Sequence, residues 1–569
     1  MVENLYQRAL SWSESDPEDR HRDFIRLAVE REDVATLEDL FGDFLTFGTA
    51  GIRGEVGPGP NRMNRAVVIR TTRGLADHLL TQHGETDRPV VVGFDARPTS
   101  AQFAEDTVGV LAAAGLPVIY FPEVTPTPLV AFAAKSLSAL AAVVITASHN
   151  PKGDNGYKVY GKNAAQIIPP DDTDIAQSID RLGATDQIPR VENAFSNPHP
   201  LVTTAPADIL DRYWQEVSQS RPEAAPSDLR IVYTPLHGVG GEVLETVFAR
   251  AGHSGLIPVS AQFDPDGSFP TLDFPNPEDP GALDLALQTA QRDGADLILA
   301  NDPDADRLAV VVPAGGGEWR PLSGNEVGAL LGDYLLRHYQ GDGTPIVVSS
   351  IVSSPVLARI ARLYGARHEM TLTGFKWIVS AGLALESEGN GEFIFGYEEA
   401  LGYMIGQTVL DKDGISAALV FADLSAGLSR RGSSILKRLV EIWDVSGLWV
   451  STQRSIVRRG VEGAGLIQEA VAALAANPPR QVAGIAVEEI TDYREGEQNR
   501  PPWLGAQDLV ELSLGEKGRV LVRPSGTEPK LKIYVDLRGE CGNDAFAAHD
   551  ALDSEAQYVA AELEAGLYI

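Results

Sequence analysis

The sequence predicts an α/β protein of several domains: three mixed α/β domains, then a C-terminal α+β domain. Three observations carry that expectation. Short apolar runs recur, each followed by a polar or glycine-rich loop and then a helical stretch, as in sheets covered on both faces. From about Ser451 the pattern changes to neighbouring strands with two helices. The 569 residues suit roughly three to five domains at about 100–200 residues each.

The elements follow in order. The first ~45 residues read as helices with acidic surfaces, for example Asp23-Phe-Ile-Arg-Leu-Ala-Val-Glu-Arg. Val90-Val-Val-Gly-Phe then leads into Asp95-Ala-Arg-Pro-Thr-Ser, and Ala142-Val-Val-Ile into Thr146-Ala-Ser-His-Asn-Pro. Ile231-Val-Tyr precedes Thr234-Pro-Leu-His-Gly, and Leu297-Ile-Leu-Ala precedes Asn301-Asp-Pro-Asp-Ala-Asp-Arg. Ile346-Val-Val precedes Ser349-Ser-Ile-Val-Ser-Ser-Pro, and Glu392-Phe-Ile-Phe precedes Gly396-Tyr-Glu-Glu. In such folds the loops at the carboxyl ends of strands carry ligands. The last stretch reads strand, helix (Ala464 to Ala476), strand, Arg519-Val-Leu-Val, a loop, Lys530-Leu-Lys-Ile-Tyr-Val and a closing helix from Asp544 to Glu564. Boundaries fall near residues 205, 320 and 450, giving domains 1–205, 206–320, 321–450 and 451–569. There is no internal sequence repeat.

Composition narrows the function. The formal net charge of −32 argues against nucleic acid, which needs a positive footprint to displace counterions, and against an anionic membrane surface. No apolar run reaches the ~18 residues of a span, and Met1 to Leu10 lacks the apolar core of a signal peptide. The single cysteine, Cys541, cannot make an internal disulfide. The expectation is an acidic cytoplasmic protein, monomer or homodimer, with a small-molecule substrate. Of 47 basic residues only ten are lysine. Where lysine survives, its shape and its ability to lose a proton are features arginine does not match.

Five constellations carry chemistry. Asp302, Asp304 and Asp306, with Arg307 beside them, follow an apolar run. Three carboxylates at alternate positions can wrap one hard cation, although an acidic solvated loop has roughly even odds for such a pattern alone. An EF-hand fails on spacing, since Arg307 stands where Gly is needed and Pro313 where Glu is needed. A strand ending in D-x-D also suits an aspartyl-phosphate enzyme with Asp302 as nucleophile. Ser148 and His149 end another strand, a candidate nucleophile and neighbour, with Lys158 ten residues on. The hydrolase elbow G-x-S-x-G is absent, and the bland alternative is a serine capping a helix. Phe47-Gly-Thr-Ala-Gly51-Ile-Arg53-Gly54 is glycine-rich without dinucleotide or P-loop context, so it also reads as a flexible connector. Arg523, Ser525, Gly526, Thr527 and Lys530 form a plausible phosphate cradle between two strands. Glu398 and Glu399 follow a strand and could accept from sugar hydroxyls.

Together these motifs closely resemble the α-D-phosphohexomutase superfamily, the phosphoglucomutase and phosphomannomutase enzymes. The resemblance spans about Asp43 to Tyr534 and keeps five motifs in order. The block Gly57-Pro-Gly-Pro-Asn-Arg-Met-Asn and the helical N-terminal extension resemble the larger, phosphopentomutase-like branch. The resemblance implies four domains around a central cleft, the fourth like the TATA-binding protein. It implies Ser148 as a phosphoserine, with Asp302, Asp304, Asp306 and the Ser148 phosphate binding Mg2+. Arg53, Lys158 and Arg307 would line the transfer site, Lys376 in Thr373-Gly-Phe-Lys-Trp would be a proton-transfer candidate, and His149 would flank the nucleophile. Glu398 and Glu399 would contact the sugar, while Arg523, Ser525, Gly526, Thr527 and Lys530 hold the non-reacting phosphate. The implied activity interconverts hexose 1-phosphate and hexose 6-phosphate of glucose or mannose, with a hexose 1,6-bisphosphate as activator. Alternatives are a phosphopentomutase or sugar-bisphosphate synthase of the same fold, an aspartyl-phosphate phosphatase and a non-catalytic phosphosugar binder. Ala400 stands where the sugar loop usually has Ser, and Pro303 where the metal loop usually has a small residue. Lys152, Lys158, Lys162, Lys376, Lys530 and Lys532 all lie in or beside these motifs. A locally positive site inside a negative shell is expected.

Overall fold

In the computed structural model, residues 2–48, 51–389, 391–458, 460–524 and 530–567 are described. The chain forms two compact units, Met1–Pro321 with Met404–Ala422, and Leu322–Tyr403 with Asp423–Ile569.

The first unit opens with helices Val2–Ser15, Asp19–Glu30 and Val34–Phe41. They bury Leu5, Ala9, Ile25, Leu37 and Phe41 against one another. A six-stranded sheet follows. Val90–Phe94 lies between Val118–Tyr120 and Ala141–Ile145, parallel to both. Asp154–Tyr160 runs antiparallel to Ala141–Ile145, and Ile52–Glu55 antiparallel beyond it. The Phe47 to Gly54 segment, readable as a connector, therefore runs into a strand from Ile52 on. The second sheet repeats the arrangement. Ile231–Thr234 lies between Leu256–Pro258 and Leu297–Ala300, parallel to both, with Ala309–Gly315 antiparallel to the latter.

The second unit has a third sheet of the same order. Thr344–Ser350 lies between Arg367–Thr371 and Gly391–Glu398, parallel to both, with Gly402–Ile405 beside the latter. One strand order thus occurs three times in a chain without a sequence repeat. What recurs is the apolar character of the central strands: Val90–Phe94 and Ala141–Ile145 are buried at every position. The chain closes with a five-stranded antiparallel sheet, Leu448–Val457, Lys530–Gly539, Gly518–Pro524, Val510–Ser513 and Glu489–Asp492 in spatial order. Val471 and Leu474 of Gly460–Ala476, and Val559 and Leu563 of Ala545–Gly566, pack into its core.

The shared order places the candidate residues. In each α/β sheet one strand (Val90–Phe94, Ile231–Thr234 or Thr344–Ser350) lies between two parallel neighbours, and the later of those neighbours ends at one of the marked loops. Ser148 follows Ala141–Ile145, Asp302 follows Leu297–Ala300, and Glu399 follows Gly391–Glu398.

Candidate active site

Ser148 sits in a loop with strained backbone. Its φ is +52°, a left-handed conformation that a non-glycine residue adopts at a cost and that clusters at functional sites. Its N–H donates to Thr146 Oγ1 at 2.8 Å, which holds the turn. Its hydroxyl points inward and donates to Asp302 Oδ2 at 2.6 Å. His149 Nδ1 lies 3.2 Å from the Ser148 hydroxyl oxygen. The hydroxyl's one proton goes to Asp302, so the imidazole is the donor in that contact.

The acidic loop is shaped by a second left-handed residue, Ala305 at φ +59°, between Asp304 and Asp306. Lys158 reaches it from the strand Asp154–Tyr160, donating to Asp304 Oδ2 at 2.6 Å and Asp306 Oδ2 at 2.8 Å. Arg307 folds back: its N–H donates to Asp302 Oδ1 at 3.0 Å, and its Nε is 3.9 Å from Asp306 Oδ1. Arg53 pairs in register with Gly156. A Cβ on Gly156 would meet Thr146 O at 2.5 Å and Arg53 Cγ at 2.9 Å, so the missing side chain lets both strands close on the serine turn.

Burial and charge set the titration. Burial, then repulsion from Asp304 and Asp306, pushes the Asp302 carboxyl well above its ordinary range. For Asp304 burial acts upward, but the Lys158 ammonium and the Thr127 hydroxyl outweigh it and hold the group ionised. Burial lowers Lys158, and Asp304 and Asp306 more than restore it, so it stays a cation. Burial, then Arg307 and Arg53, pulls His149 well below the usual histidine range, leaving a neutral imidazole.

The donor set suits a hard divalent cation. Asp302, Asp304 and Asp306 are fully buried and each offers a carboxylate oxygen within 4.8 Å of the others. Asp304 Oδ1 and Asp306 Oδ1 are buried without a hydrogen-bond partner among the described residues. Orphaned buried carboxylate oxygens beside one another are costly unless a cation takes them.

The second unit gathers the other candidates. Glu399 Oε2 accepts from Ser350 Oγ at 3.0 Å and Ser353 Oγ at 3.1 Å. Its orientation is thus fixed, while Glu398 ends the strand. Lys376 is buried in the first turn of Phe375–Ser387, its Nζ 5.2 Å from the Trp377 ring centre. Thr373, just before it, accepts from Arg523 Nη1 and, at 3.1 Å, from Gln507 Nε2. The Lys376 loop and the first cradle residue are therefore in contact. Lys530 opens its strand opposite Val457. Ser525, Gly526 and Thr527 lie outside the described residues.

Four family descriptions match the chain in order: phosphoglucomutase/phosphomannomutase alpha/beta/alpha domain I at 45–186, domain II at 211–316, domain III at 323–443, and the C-terminal domain at 466–540. The chain belongs to the phosphoglucomutase/phosphomannomutase family. A Haemophilus influenzae protein named "Probable phosphomannomutase" is 42% identical over 490 residues, 85% of this chain and 94% of its own length. The phosphopentomutase of Mus musculus is 34% identical over 574 residues, 95% of this chain and 92% of its own. In fold, the chain resembles the crystal structure of pp63/parafusin, a phosphoglucomutase from Paramecium. The TM-score is 0.69 at 18% identity, covering 91% of this chain and 95% of that one. The protein is an enzyme of the phosphotransferase or isomerase type, with three α/β domains and a distinct C-terminal one.

Sequence reasoning missed three residues that contact this cluster of candidates or its loops. Thr127 donates its hydroxyl to Asp304 Oδ2 at 2.6 Å and its N–H to Asp304 O at 3.0 Å. A threonine at a helix start carries no signal for a partner 177 positions away. Lys412 places Nζ 3.4 Å from Asp306 Oδ2. Its signal was available: a buried-looking Asp411-Lys-Asp-Gly loop in a lysine-poor chain. Tyr160 and Gln166 donate to Asp411 at 2.7 and 2.8 Å, which anchors that loop. The third, Arg97, braces the serine turn.

Proposed function

We propose that the enzyme interconverts hexose 1-phosphate and hexose 6-phosphate, of glucose, mannose or both. The route is a phosphoserine at Ser148 and a bisphosphate intermediate. The observation carrying this reading is the Ser148 hydroxyl seated on Asp302 among Lys158, Arg307 and Lys412. A phosphoryl group on that oxygen brings about −1.5 to −2 charges, and those cations with Arg53 offset it. Arg53 Nε is buried without a hydrogen-bond partner among the described residues, as a donor awaiting an anion would be.

The chain's residues divide the work. Mg2+ held by Asp302, Asp304, Asp306 and the Ser148 phosphate would supply Lewis-acid stabilisation of the transferring group. Lys158 and Arg307 stabilise the charge that builds on the phosphoryl oxygens. The attacking sugar hydroxyl must lose a proton and the leaving oxygen must gain one. His149, neutral and 3.2 Å from Ser148 Oγ, and Lys376 are the two candidates for that exchange. Glu398 and Glu399 accept from sugar hydroxyls. Arg523, Ser525, Gly526, Thr527 and Lys530 hold the phosphate that does not react. Because the bisphosphate turns end for end, that cradle must accept either phosphate. A hexose 1,6-bisphosphate restores the phosphoserine when it is lost.

A second reading is a phosphopentomutase or sugar-bisphosphate synthase. It is favoured by the Gly57 to Asn64 block, a built turn in which Asn64 Nδ2 donates to Gly57 O at 2.9 Å and Gly59 O at 2.7 Å. The 34% identity to a phosphopentomutase across nearly the whole chain also favours it. Steady-state kinetics on glucose, mannose, ribose and glucosamine 1-phosphates with Mg2+ separate the readings. A kcat/KM highest on a hexose supports the first, and one highest on ribose 1-phosphate replaces it with the second.

A further inference from the structure

Each of the three α/β sheets braces its marked loop in the same way. The loop after Val90–Phe94, Ile231–Thr234 or Thr344–Ser350, the strand between two parallel neighbours, supports the loop after the later neighbour. In the third sheet, Ser350 and Ser353 hold Glu399. In the second, Val239 N–H donates to Pro303 O at 2.8 Å. Gly238 lies so close there that a Cβ would meet Pro303 Cα at 2.3 Å. This also accounts for His237, whose N–H and carbonyl tie the same loop to Gln262 and Asp266.

In the first sheet the brace is one side chain. Arg97, 3% exposed, donates from Nη2 to Ser148 O and Asn150 O, both at 2.7 Å. From Nη1 it donates to Pro151 O at 2.7 Å and Asp154 O at 2.8 Å. One guanidinium thus satisfies four carbonyls of the nucleophile loop. Asp95 Oδ2 lies 3.3 Å from its Nε, and Asp95 Oδ1 accepts from Arg97 N–H and Ser100 Oγ. The outer face is covered by Phe269, whose ring centre is 5.2 Å from Arg97 Cζ. The Gly267–Phe269 turn packs directly on the loop. A Cβ on Gly267 would meet Ala96 O at 2.2 Å and Arg97 Cα at 2.4 Å, and Phe269 itself is left-handed at φ +46°.

We propose that Arg97 is the positioning residue for the nucleophile, clamped in turn by the Gly267–Phe269 turn. It fixes the Ser148 to Asp154 loop so that the serine oxygen stays on Asp302. The geometry explains why arginine stands here. A lysine ammonium is a point donor and cannot span four carbonyls with a planar fork. The inference deepens the proposed role of Ser148 and rests on it. The side-chain hydrogen bonds of Arg97 to the Ser148 to Asp154 loop all go to backbone carbonyls, so its loss slows phosphoryl transfer to and from Ser148 and leaves sugar binding in place.

The test uses the full-length enzyme, Arg97→Lys and Gly267→Ala. Each is dephosphorylated and mixed with glucose 1,6-bisphosphate. The rate of phosphoryl transfer to Ser148 is measured in a single turnover, per folded molecule by circular dichroism, alongside KM for the sugar 1-phosphate. Displacement of a reacting group by about 1 Å costs on the order of 100-fold. The expected result for both variants is a transfer rate down by about that factor, KM within about twofold, and faster hydrogen exchange at the amides of 148–154. Where Arg97→Lys does not fold, Gly267→Ala alone decides. Transfer within threefold of the parent in folded variants overturns the positioning role while leaving Ser148 as nucleophile. A parent enzyme that takes no phosphoryl group on Ser148 overturns the functional reading, and this inference with it.

Discussion

The Ser148 hydroxyl donates to Asp302 Oδ2 at 2.6 Å across 154 positions of sequence. Two equivalent loops, after Ala141–Ile145 and after Leu297–Ala300, are thereby joined at their tips. A serine hydroxyl on one sheet meets a carboxylate cluster on another, so neither sheet alone holds both groups. The cations around the cluster arrive separately: Lys158 from the strand Asp154–Tyr160, Arg307 from the acidic loop, and Lys412 from a segment more than 100 residues on.

Removal of divalent metal is expected to abolish turnover, and added Mg2+ to restore it. Asp304→Asn is expected to lower kcat by at least about 100-fold, a loss of roughly 3 kcal/mol of transition-state stabilisation. It also takes from Lys158 one of its two carboxylate acceptors and from Thr127 its charged acceptor, so its melting temperature falls further than that of Asp302→Asn. Activity with and without chelator, and melts of both variants, check this. Full activity in chelator would remove the metal from the account.

Thr127→Ala removes a fully buried hydrogen bond to an ionised carboxylate. Bonds of this kind contribute about 1.5–3 kcal/mol. The variant is expected to unfold more easily by that order and to lose kcat through a displaced Asp304. Equilibrium denaturation gives the first number and steady-state rates the second.

Arg523 touches Thr373 and keeps Nε buried without a hydrogen-bond partner among the described residues, as expected of a residue that receives phosphate. Arg523→Lys loses the two-pronged geometry. KM for the sugar phosphate should rise about tenfold or more, with an unchanged melt. An unchanged KM would move the cradle elsewhere.

His368 offers a pH test of stability in the second unit. Burial, with Arg519 adding, pulls its pKa to about 4, and Ser349 Oγ lies 2.9 Å from Nε2. In the unfolded chain it titrates near 6.5. Between these values the unfolded state binds the extra proton, so stability rises with pH. The contribution is present above pH ~6.5 and is lost as pH falls toward ~4. Denaturant melts at pH 7 and pH 5 should show a smaller drop for His368→Gln than for the parent. Equal drops would assign the pH dependence to other groups.

Much of this fold was legible because of which strands are buried. The six apolar runs seen in the sequence fall, in each of the three sheets, in the strand between two parallel neighbours and in the later of those neighbours, flanked on both sides. Their partners were harder to see. Arg367–Thr371 is polar, Leu256–Pro258 is three residues long, and Asp154–Tyr160 begins with loop-like residues. The chemistry-bearing loops were legible by residue type, as Ser148 and the three aspartates were. Thr127 and Arg97 were not, because each acts by contact with a distant segment. Lysine scarcity pointed to Lys158 and Lys376 but passed over Lys412, whose value lies in reaching Asp306. Asp95-Ala-Arg was visible as a loop, yet nothing local shows that its arginine gathers four carbonyls.

The central claim is that Ser148 carries the phosphoryl group. The most direct measurement is incubation with glucose 1,6-bisphosphate labelled in its phosphates, followed by acid treatment and peptide mapping. Acid-stable label on the peptide containing Ser148, absent from Ser148→Ala together with mutase turnover, is the expected result. Acid-labile label on the Asp302 peptide, or near-normal turnover by Ser148→Ala, would contradict it.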